Sequence, residues 1–461
     1  LYYMNKYRLW IVTALIAFTS FTSQATHYLG GEIYWECTAN GDYIFTLTLY
    51  RDCTGQAITP TTKTINGPFN IPCNFISQND VSPDCNEPAA QINCASGDPG
   101  SIEMFVFRSS PVSLTGIPPA TGWEFSWTGF ARPTLQNAVG NSGYYLRSIM
   151  YPYTDPNGNL LNTSTCYDNS PEFAQEANSV TCPNSLYEFN HLPSDRDIDS
   201  LVFAWGQPKL GSSQNISWNS GYSNTAPFPD GTENPNNGPN TLDPFSGEIT
   251  VLANNPSVGW YASCVVIKEY RCGQLIGEVY RDVPLYYADN NNCPSNPSTP
   301  SAEIDTAIYK TITRTGNIYR VRTYPQDTVQ FRIVARDLDQ FSNGSFQQIC
   351  MKAGGLQLNK NNYTSNTGCD GAAPCATLTP YNSSGTFCNV IQNTVEFFWI
   401  PDCIHLSFGG CGASNVYYFT VRMQDDGCVA PKIGLATIIV EVRAGDPNPP
   451  DLKCSSVNLD G

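Results

Sequence analysis

Alternating apolar and polar residues occur along most of the chain, and helical spacing of apolar residues is almost absent. Tyr28 to Glu36 alternates, Asn40-Gly41-Asp42 follows, and Tyr43 to Tyr50 alternates again. Successive side chains of a strand point to opposite faces, so such alternation predicts strands with one buried face. Two alternating runs around an Asn-Gly turn predict a β-hairpin.

The strand signals group into three units. The first covers residues 26–165 and contains a Cys-rich stretch, Gly67 to Gly100, that reads as a long stapled loop. The second covers residues 166–290, and the third covers residues 301–444. Further strands are predicted at Ile102–Arg108, Trp123–Trp127, Tyr144–Tyr151, Ser185–Asn190, Leu201–Trp205, Gly259–Tyr270, Ile276–Tyr286, Ala307–Ile312, Ile318–Arg322, Thr328–Val334, Val395–Ile400, Val416–Met423 and Leu435–Val442.

Two segments read as linkers by composition. Residues 291–300 continue an Asn-, Ser- and Pro-rich run between the second and third units. Residues 445–461 read as a linker followed by the opening strand of a truncated further domain, and this strand resembles the start of a fibronectin III-like domain. The sequence therefore predicts an all-β chain of tandem β-sandwich domains that continues beyond Gly461.

The N-terminus has the pattern of a secretory signal peptide. Met4 is the expected initiator, Lys6 and Arg8 give a positive start, Leu9 to Phe18 is apolar, and Ser23-Gln24-Ala25 matches a cleavage site. The apolar run is shorter than the roughly 20 residues that span a bilayer. We therefore expect an exported protein, at the cell surface or secreted, with no transmembrane segment in the mature chain.

The charge balance argues against a nucleic-acid partner. The chain has 24 basic and 40 acidic residues, a formal net charge of −16. Nucleic-acid binding needs a basic surface. An acidic surface instead suits an extracellular protein that meets divalent cations.

Eighteen cysteines in an exported chain predict disulfides rather than free thiols. Cys182 and Cys264 both fall on predicted strands of the second unit and could join its sheets. Cys369–Cys375 and Cys403–Cys411 could close small loops. The complete connectivity does not follow from sequence. A zinc site is not expected, because there is no C-x-x-C and the three histidines are isolated.

Aspartates at alternate positions are the candidate metal ligands. On an extended segment the carboxylates of Asp195, Asp197 and Asp199 would face one side. A calcium ion, which takes six to eight oxygen ligands, would offset their repulsion. A further pair occurs in the third unit, Asp337 and Asp339, with Asp425 and Asp426 as possible partners. The alternative is an exposed acidic turn in which Asp195 or Asp199 caps backbone amides.

Trp218 is the aromatic residue singled out for glycan contact, because it lies in an Asn- and Ser-rich segment. Most other aromatic residues are expected to fill the space between sheets. No metalloprotease, nucleophile-elbow or phosphate-loop motif is present, so no catalytic residue is assigned. A glycosidase needs only two carboxylates, which a sequence does not exclude.

Three blocks resemble the N-terminal region of large exported proteins of Bacteroidetes, of the gliding-motility-associated or PKD-domain-containing type. They are His27–Cys53 (HYLGGEIYWECTANGDYIFTLTLYRDC), Gly122–Arg132 (GWEFSWTGFAR) and Cys166–Val202 (CYDNSPEFAQEANSVTCPNSLYEFNHLPSDRDIDSLV). Phe130 and Ala131 stand where that pattern has paired cysteines. The resemblance implies Ig-like or cadherin-like β-sandwich modules, Sec export and often type IX secretion, and a surface or matrix role.

These observations predict a non-enzymatic structural or adhesion protein whose partners are surface glycans or other extracellular proteins. Two alternatives stay open. The chain could be a set of extracellular glycan-binding modules, or the non-catalytic N-terminal part of a secreted hydrolase. Calcium is the one cofactor expected.

Overall fold

The computed structural model describes residues 27–83, 85, 91–139, 143–154, 157–160, 166–173, 175–176, 180–290, 293, 301–305, 312–406 and 415–443. The predicted signal peptide, most of the linker 291–300, the segment 445–461 and Cys411 lie outside these residues. Among the described residues, no helix is long and apolar enough to cross a membrane.

The described part of the chain is built from strands, with one short 3-10 helix at Cys403–His405. Strands β1 to β8 are Tyr28–Cys37, Tyr43–Asp52, Lys63–Ile65, Ile71–Asp80, Ile102–Ser109, Trp123–Gly129, Ala138–Val139 and Tyr144–Met150. Strands β9 to β16 are Glu172–Phe173, Val180–Thr181, Leu186–Asn190, Pro193–Ser194, Ser200–Trp205, Lys209–Gly211, Gln214–Asn215 and Ser217–Trp218. Strands β17 to β24 are Thr241–Leu242, Glu248–Leu252, Gly259–Tyr261, Cys264–Arg271, Gln274–Asp282, Leu285–Tyr287, Ser301–Asp305 and Ile312–Thr315. Strands β25 to β32 are Ile318–Thr323, Val329–Arg336, Gln348–Gly354, Thr377–Pro380, Cys388–Val390, Gln392–Trp399, Asn415–Gln424 and Ile433–Val442.

The predicted N-terminal hairpin is present as the antiparallel pair β1 and β2. Its inward residues include Trp35 and Phe45, which pack with Phe125 in the core of the first unit. The stretch 67–100 was expected to be loop throughout, and that expectation is wrong. It contains β4, which pairs with β3 and β5. Residues 77–80 of this strand are all polar, so its second half has no apolar pattern.

A ten-stranded sheet joins the first two predicted units. Its main path runs β13-β20-β21-β1-β2-β5-β4-β3, with β8 pairing both β6 and β21. Gly31 lies opposite Asp282, and Met150 lies opposite Gly277. The segments 26–165 and 166–290, predicted as two domains, therefore share one sheet. Pairing between residues so far apart in sequence leaves no local signal at residue 165.

The third unit is a sandwich of two sheets, β23-β26-β30-β28 and β24-β25-β32-β31-β27-β29. Between them lies one apolar core that includes Phe331, Phe397, Trp399 and Phe419. The prediction of an all-β, sandwich-type chain with disulfide-stapled loops is confirmed.

The second and third units are in contact. Ile198 packs against the core of the third unit. The Asn317 side-chain amide donates to Glu248 Oε1 at 3.1 Å and to Glu188 Oε1 at 3.3 Å. The segment Pro193–Asp199 therefore lies at the junction between the two units.

Six disulfides join described cysteines, namely Cys37–Cys166, Cys53–Cys94, Cys85–Cys428, Cys182–Cys293, Cys350–Cys388 and Cys369–Cys375. The suggested Cys182–Cys264 bond is wrong. Cys182 follows β10, whose parallel partner β22 brings the chain towards Cys293. Cys264 and Cys73 are buried free thiols, against the expectation that every thiol is paired. Cys403 is disulfide-bonded.

Candidate functional site

The acidic segment Asp195–Asp199 forms a turn between β12 and β13 rather than an extended strand. Ile198 has a positive φ of 63°, which reverses the chain within the segment. Asp195 Oδ1 accepts the backbone N–H of Asp197 at 2.8 Å and that of Asp199 at 3.2 Å. The expectation of three carboxylates on one face is therefore wrong, since the turn divides them. The alternative prediction, that Asp195 caps backbone amides, holds for its Oδ1 atom.

Arg271 bridges one cluster of three carboxylates. This cluster consists of Asp168, Asp197 and Asp199, whose ligand atoms lie within 4.8 Å of one another. Arg271 Nη2 donates to Asp168 Oδ1 at 2.9 Å and to Asp197 Oδ2 at 3.0 Å, while its Nε donates to Asp199 Oδ1 at 2.9 Å. A guanidinium with these contacts already supplies the positive charge that a metal ion would bring.

A second cluster of carboxylates lies deeper in the protein and consists of Asp195, Asp199 and Glu269. Their ligand atoms again lie within 4.8 Å of one another. Glu269 is completely buried, and neither of its carboxylate oxygens has a hydrogen-bond partner. Asp195 Oδ2 is also buried without a partner. Gly277 faces Glu269 across the β20–β21 pair, and a Cβ there would lie 2.5 Å from Glu269 Oε2. The fold therefore leaves room for this carboxylate and surrounds it with other carboxyl groups rather than with amide or cationic donors.

Burial and mutual repulsion favour the protonated forms of these acids. Burial, followed by the neighbouring Asp199, raises the pKa of Asp195 to about 7. Burial and the surrounding carboxylates raise the pKa of Glu269 well above its ordinary value. Asp168 is affected in the same direction for the same reasons, although Arg271 opposes the rise in its pKa. Without a cation, the group therefore retains a proton at neutral pH.

The deeper group fits a hard divalent cation. Calcium takes oxygen ligands only, and carboxylates are its preferred protein donors. Glu269, Asp195 Oδ2 and Asp199 would hold the ion, and Asp168 Oδ2, also buried and unpartnered, lies beside Arg271 in the adjoining group. A bound cation would replace the protons that these acids otherwise hold and would offset the cost of burying their oxygens.

The second predicted calcium site is differently built. Asp337 and Asp339 belong to no three-residue carboxylate group of this kind among the described residues. Asp425 Oδ1 accepts the backbone N–H groups of Gly427 at 3.0 Å and Lys432 at 2.8 Å. The buried Lys432 interacts electrostatically with Asp425 and Asp339, so an internal cation is already present there.

Sequence reasoning missed Asp168, Glu269 and Arg271. Glu269 carries a detectable signal, because it shares the inward face of β20 with the core residues Val265 and Ile267. An acid on the buried face of an apolar strand needs a partner. Asp168 and Arg271 gave no comparable signal, since their role depends on contacts more than 100 residues apart in sequence.

Trp218 is not on an open loop. It lies in the short strand β16, where it pairs with Ala138 of β7, and it is half-buried against the apolar cluster that contains Trp260. Its indole nitrogen is buried without a partner. Glycan contact at Trp218 remains a prediction.

No family model and no curated protein matches the chain. Among solved structures, the chain is similar to Drosophila N-cadherin EC1-3 at 10% identity, over 84% of this chain and 91% of that one, with a TM-score of 0.17. It is also similar to the zebrafish RET cadherin-like domains 1 to 4 at 10% identity, over 58% of this chain and 48% of that one, with a TM-score of 0.15. The sheet pairings and registers above, rather than these superpositions, define the fold.

Proposed function

We propose that the chain is a non-enzymatic structural or adhesive protein of the cell surface or extracellular space, in which calcium stiffens the junction between the second and third units. The observation that carries this proposal is the buried, unpartnered carboxylate of Glu269 beside Asp195 and Asp199. Six disulfides among the described residues support an oxidising, extracellular location. The resemblance to exported Bacteroidetes surface proteins is part of the same proposal.

The position of the carboxylates links ion binding to rigidity. Glu269 lies on β20 inside the large sheet, whereas Asp195 and Asp199 lie on the turn that contacts the third unit. An ion held by all three would tie this turn to the sheet. Because Ile198 of the same turn packs against the core of the third unit, ordering the turn would also restrain the junction.

Thermal unfolding with and without calcium tests the proposal. If the dissociation constant is on the order of 10⁻⁴ M, about 10 mM calcium should stabilise the folded chain by about 2.7 kcal/mol and raise Tm by several degrees. Glu269→Gln should abolish this increase and should be more stable than the unsubstituted protein in chelator, because it removes a buried unpaired acid.

Asp425→Asn is the matched control, since it removes a buried acid outside the proposed calcium site, where Lys432 already supplies a positive charge. This variant should keep the calcium-dependent rise in Tm. Equal melting temperatures of the unsubstituted chain in calcium and in chelator would refute the calcium proposal. An unchanged calcium response in Glu269→Gln would show that calcium binds somewhere other than at Glu269.

A further inference from the structure

A cavity of about 530 Å³ lies on the third unit, where β27 and β31 meet the segment that contains Cys85. The Cys350–Cys388 disulfide lies on one wall, and Cys85, bonded to Cys428, lies on another. The volume is within the range of small-molecule sites, about 300 to 1,000 Å³. None of the carboxylates of the proposed calcium site lines this cavity.

Arg422 supplies a positive charge to the cavity wall. On β31 its neighbours Val421 and Met423 belong to the sandwich core, so Arg422 points away from that core. Its side chain is nevertheless covered, with the residue only 6% exposed, and Nε and Nη2 are buried without hydrogen-bond partners. Burial lowers the pKa of Arg422 to about 10, which leaves it charged at neutral pH.

The acids in the same wall are already engaged by backbone amides. Asp425 Oδ1 accepts from Gly427 and Lys432, and Asp426 Oδ1 accepts the N–H of Gln348 at 2.8 Å. Within the described residues, no carboxylate forms an ion pair with Arg422. Glu176 acts on this guanidinium electrostatically, but Nε and Nη2 remain buried without an acceptor. Burying such donors is costly, and an anion in the cavity would supply the missing acceptors.

The rest of the lining indicates what kind of anion this is. Tyr363 and Phe387 are half-buried and pack edge to face, with ring centroids 5.4 Å apart. Gln348 and Gln424 add side-chain amides, which both donate and accept hydrogen bonds. A carboxylated sugar matches each group, because its carboxylate suits a guanidinium, its hydroxyls suit amides and acids, and the C–H face of its ring suits an aromatic side chain.

We propose that this cavity binds a uronate residue of an extracellular polysaccharide, with Arg422 receiving the sugar carboxylate. The site is independent of the calcium proposal. Isothermal titration calorimetry on the disulfide-bonded chain, with a galacturonate trisaccharide as probe and a galactose trisaccharide of the same linkage as neutral reference, tests it. The neutral sugar should bind at least tenfold more weakly.

Arg422→Gln should lose at least tenfold in affinity for the uronate trisaccharide. Arg320→Gln removes an exposed arginine from β25 of the same sheet and should keep the affinity. Tyr363→Ala is a second variant, needed if Arg422→Gln does not fold. It should weaken uronate binding without restoring binding of the neutral sugar.

Three results would overturn the proposal. The first is no heat of binding with the uronate probe. The second is full affinity in Arg422→Gln or in Tyr363→Ala. The third is sodium sulfate binding as tightly as the uronate, which would make the cavity a site for small inorganic anions.

Discussion

His191 lies inside the protein as a neutral imidazole, between two aromatic rings and a guanidinium. It packs edge-on against Phe173 and Phe189, and its Nδ1 lies 3.2 Å from Arg281 Nη1. Burial, followed by the charge of Arg281, lowers the pKa of His191 well below its ordinary value. The folded state therefore resists a proton that the unfolded chain accepts.

The contribution of His191 to stability should fall as the pH drops below about 6.5, because the unfolded chain protonates this residue and the folded state does not. The raised pKa values of Asp195 and Glu269 act in the opposite direction, so the histidine is measured by comparison with a variant. One such histidine can change the free energy of unfolding by at most about 1.4 kcal/mol per pH unit. Urea unfolding should show that the stability of His191→Gln, measured relative to the unsubstituted chain at the same pH, increases from about pH 6.5 to about pH 5. Identical pH profiles for the two proteins would contradict this assignment.

Individual residues of the candidate calcium site were partly predictable from the sequence. The alternating aspartates indicated the acidic turn, but alternation implies convergence only on an extended backbone, and Ile198 reverses the chain. The central acid, Glu269, is 70 residues beyond the turn. Its position inside an apolar strand could have marked it as needing a partner, whereas the contacts of Arg271 depend on how the sheet brings distant segments together.

At the scale of elements, the strands were more predictable than their pairing. Alternation placed β1, β2 and β8 within one or two residues of their observed ends. It did not show that β1 lies beside β21, because a strand's pattern records which face is buried and not which strand is its neighbour. Strand β4, between β5 and the short edge strand β3, was missed because residues 77–80 are all polar and carry none of that pattern.

The glycine pair Gly30-Gly31 explains how β1 can approach β21 so closely. A Cβ on Gly30 would lie 1.7 Å from the carbonyl oxygen of Asp282, and Gly30 has a φ of +129°. Gly30→Ala should therefore destabilise the chain by about 3 kcal/mol, from backbone strain and steric overlap together.

Gly273→Ala is the matched control for Gly30→Ala. Gly273 also has a positive φ, of +77°, but nothing lies within 4 Å of its Cβ position. The Gly273→Ala variant should lose only about 1 to 2 kcal/mol of stability, because it introduces the strain of the positive φ without a steric overlap. Chemical denaturation of the two variants measures the difference, and equal losses would show that the close approach to Asp282 contributes nothing.

At the scale of the whole molecule, the Cys85–Cys428 disulfide joins parts of the chain 343 residues apart. It connects the first unit to the third, while the packing of Ile198 and the hydrogen bonds of Asn317 connect the second unit to the third. The shared sheet makes the first two units a single folding unit. The third unit has its own core, so its cooperativity with the rest depends on these connections.

The double variant Cys85→Ser, Cys428→Ser should uncouple the third unit. Calorimetry should show one transition for the unsubstituted chain and two for the variant, because only the non-covalent junction then transmits unfolding. Cys369→Ser with Cys375→Ser is the control, since that bond closes a loop of 6 residues within the third unit and should leave a single transition. Calcium should draw the variant's two transitions closer together, because the proposed ion braces the same junction. Two transitions that do not respond to calcium would mean that Asp195, Asp199 and Glu269 do not connect ion binding to the junction.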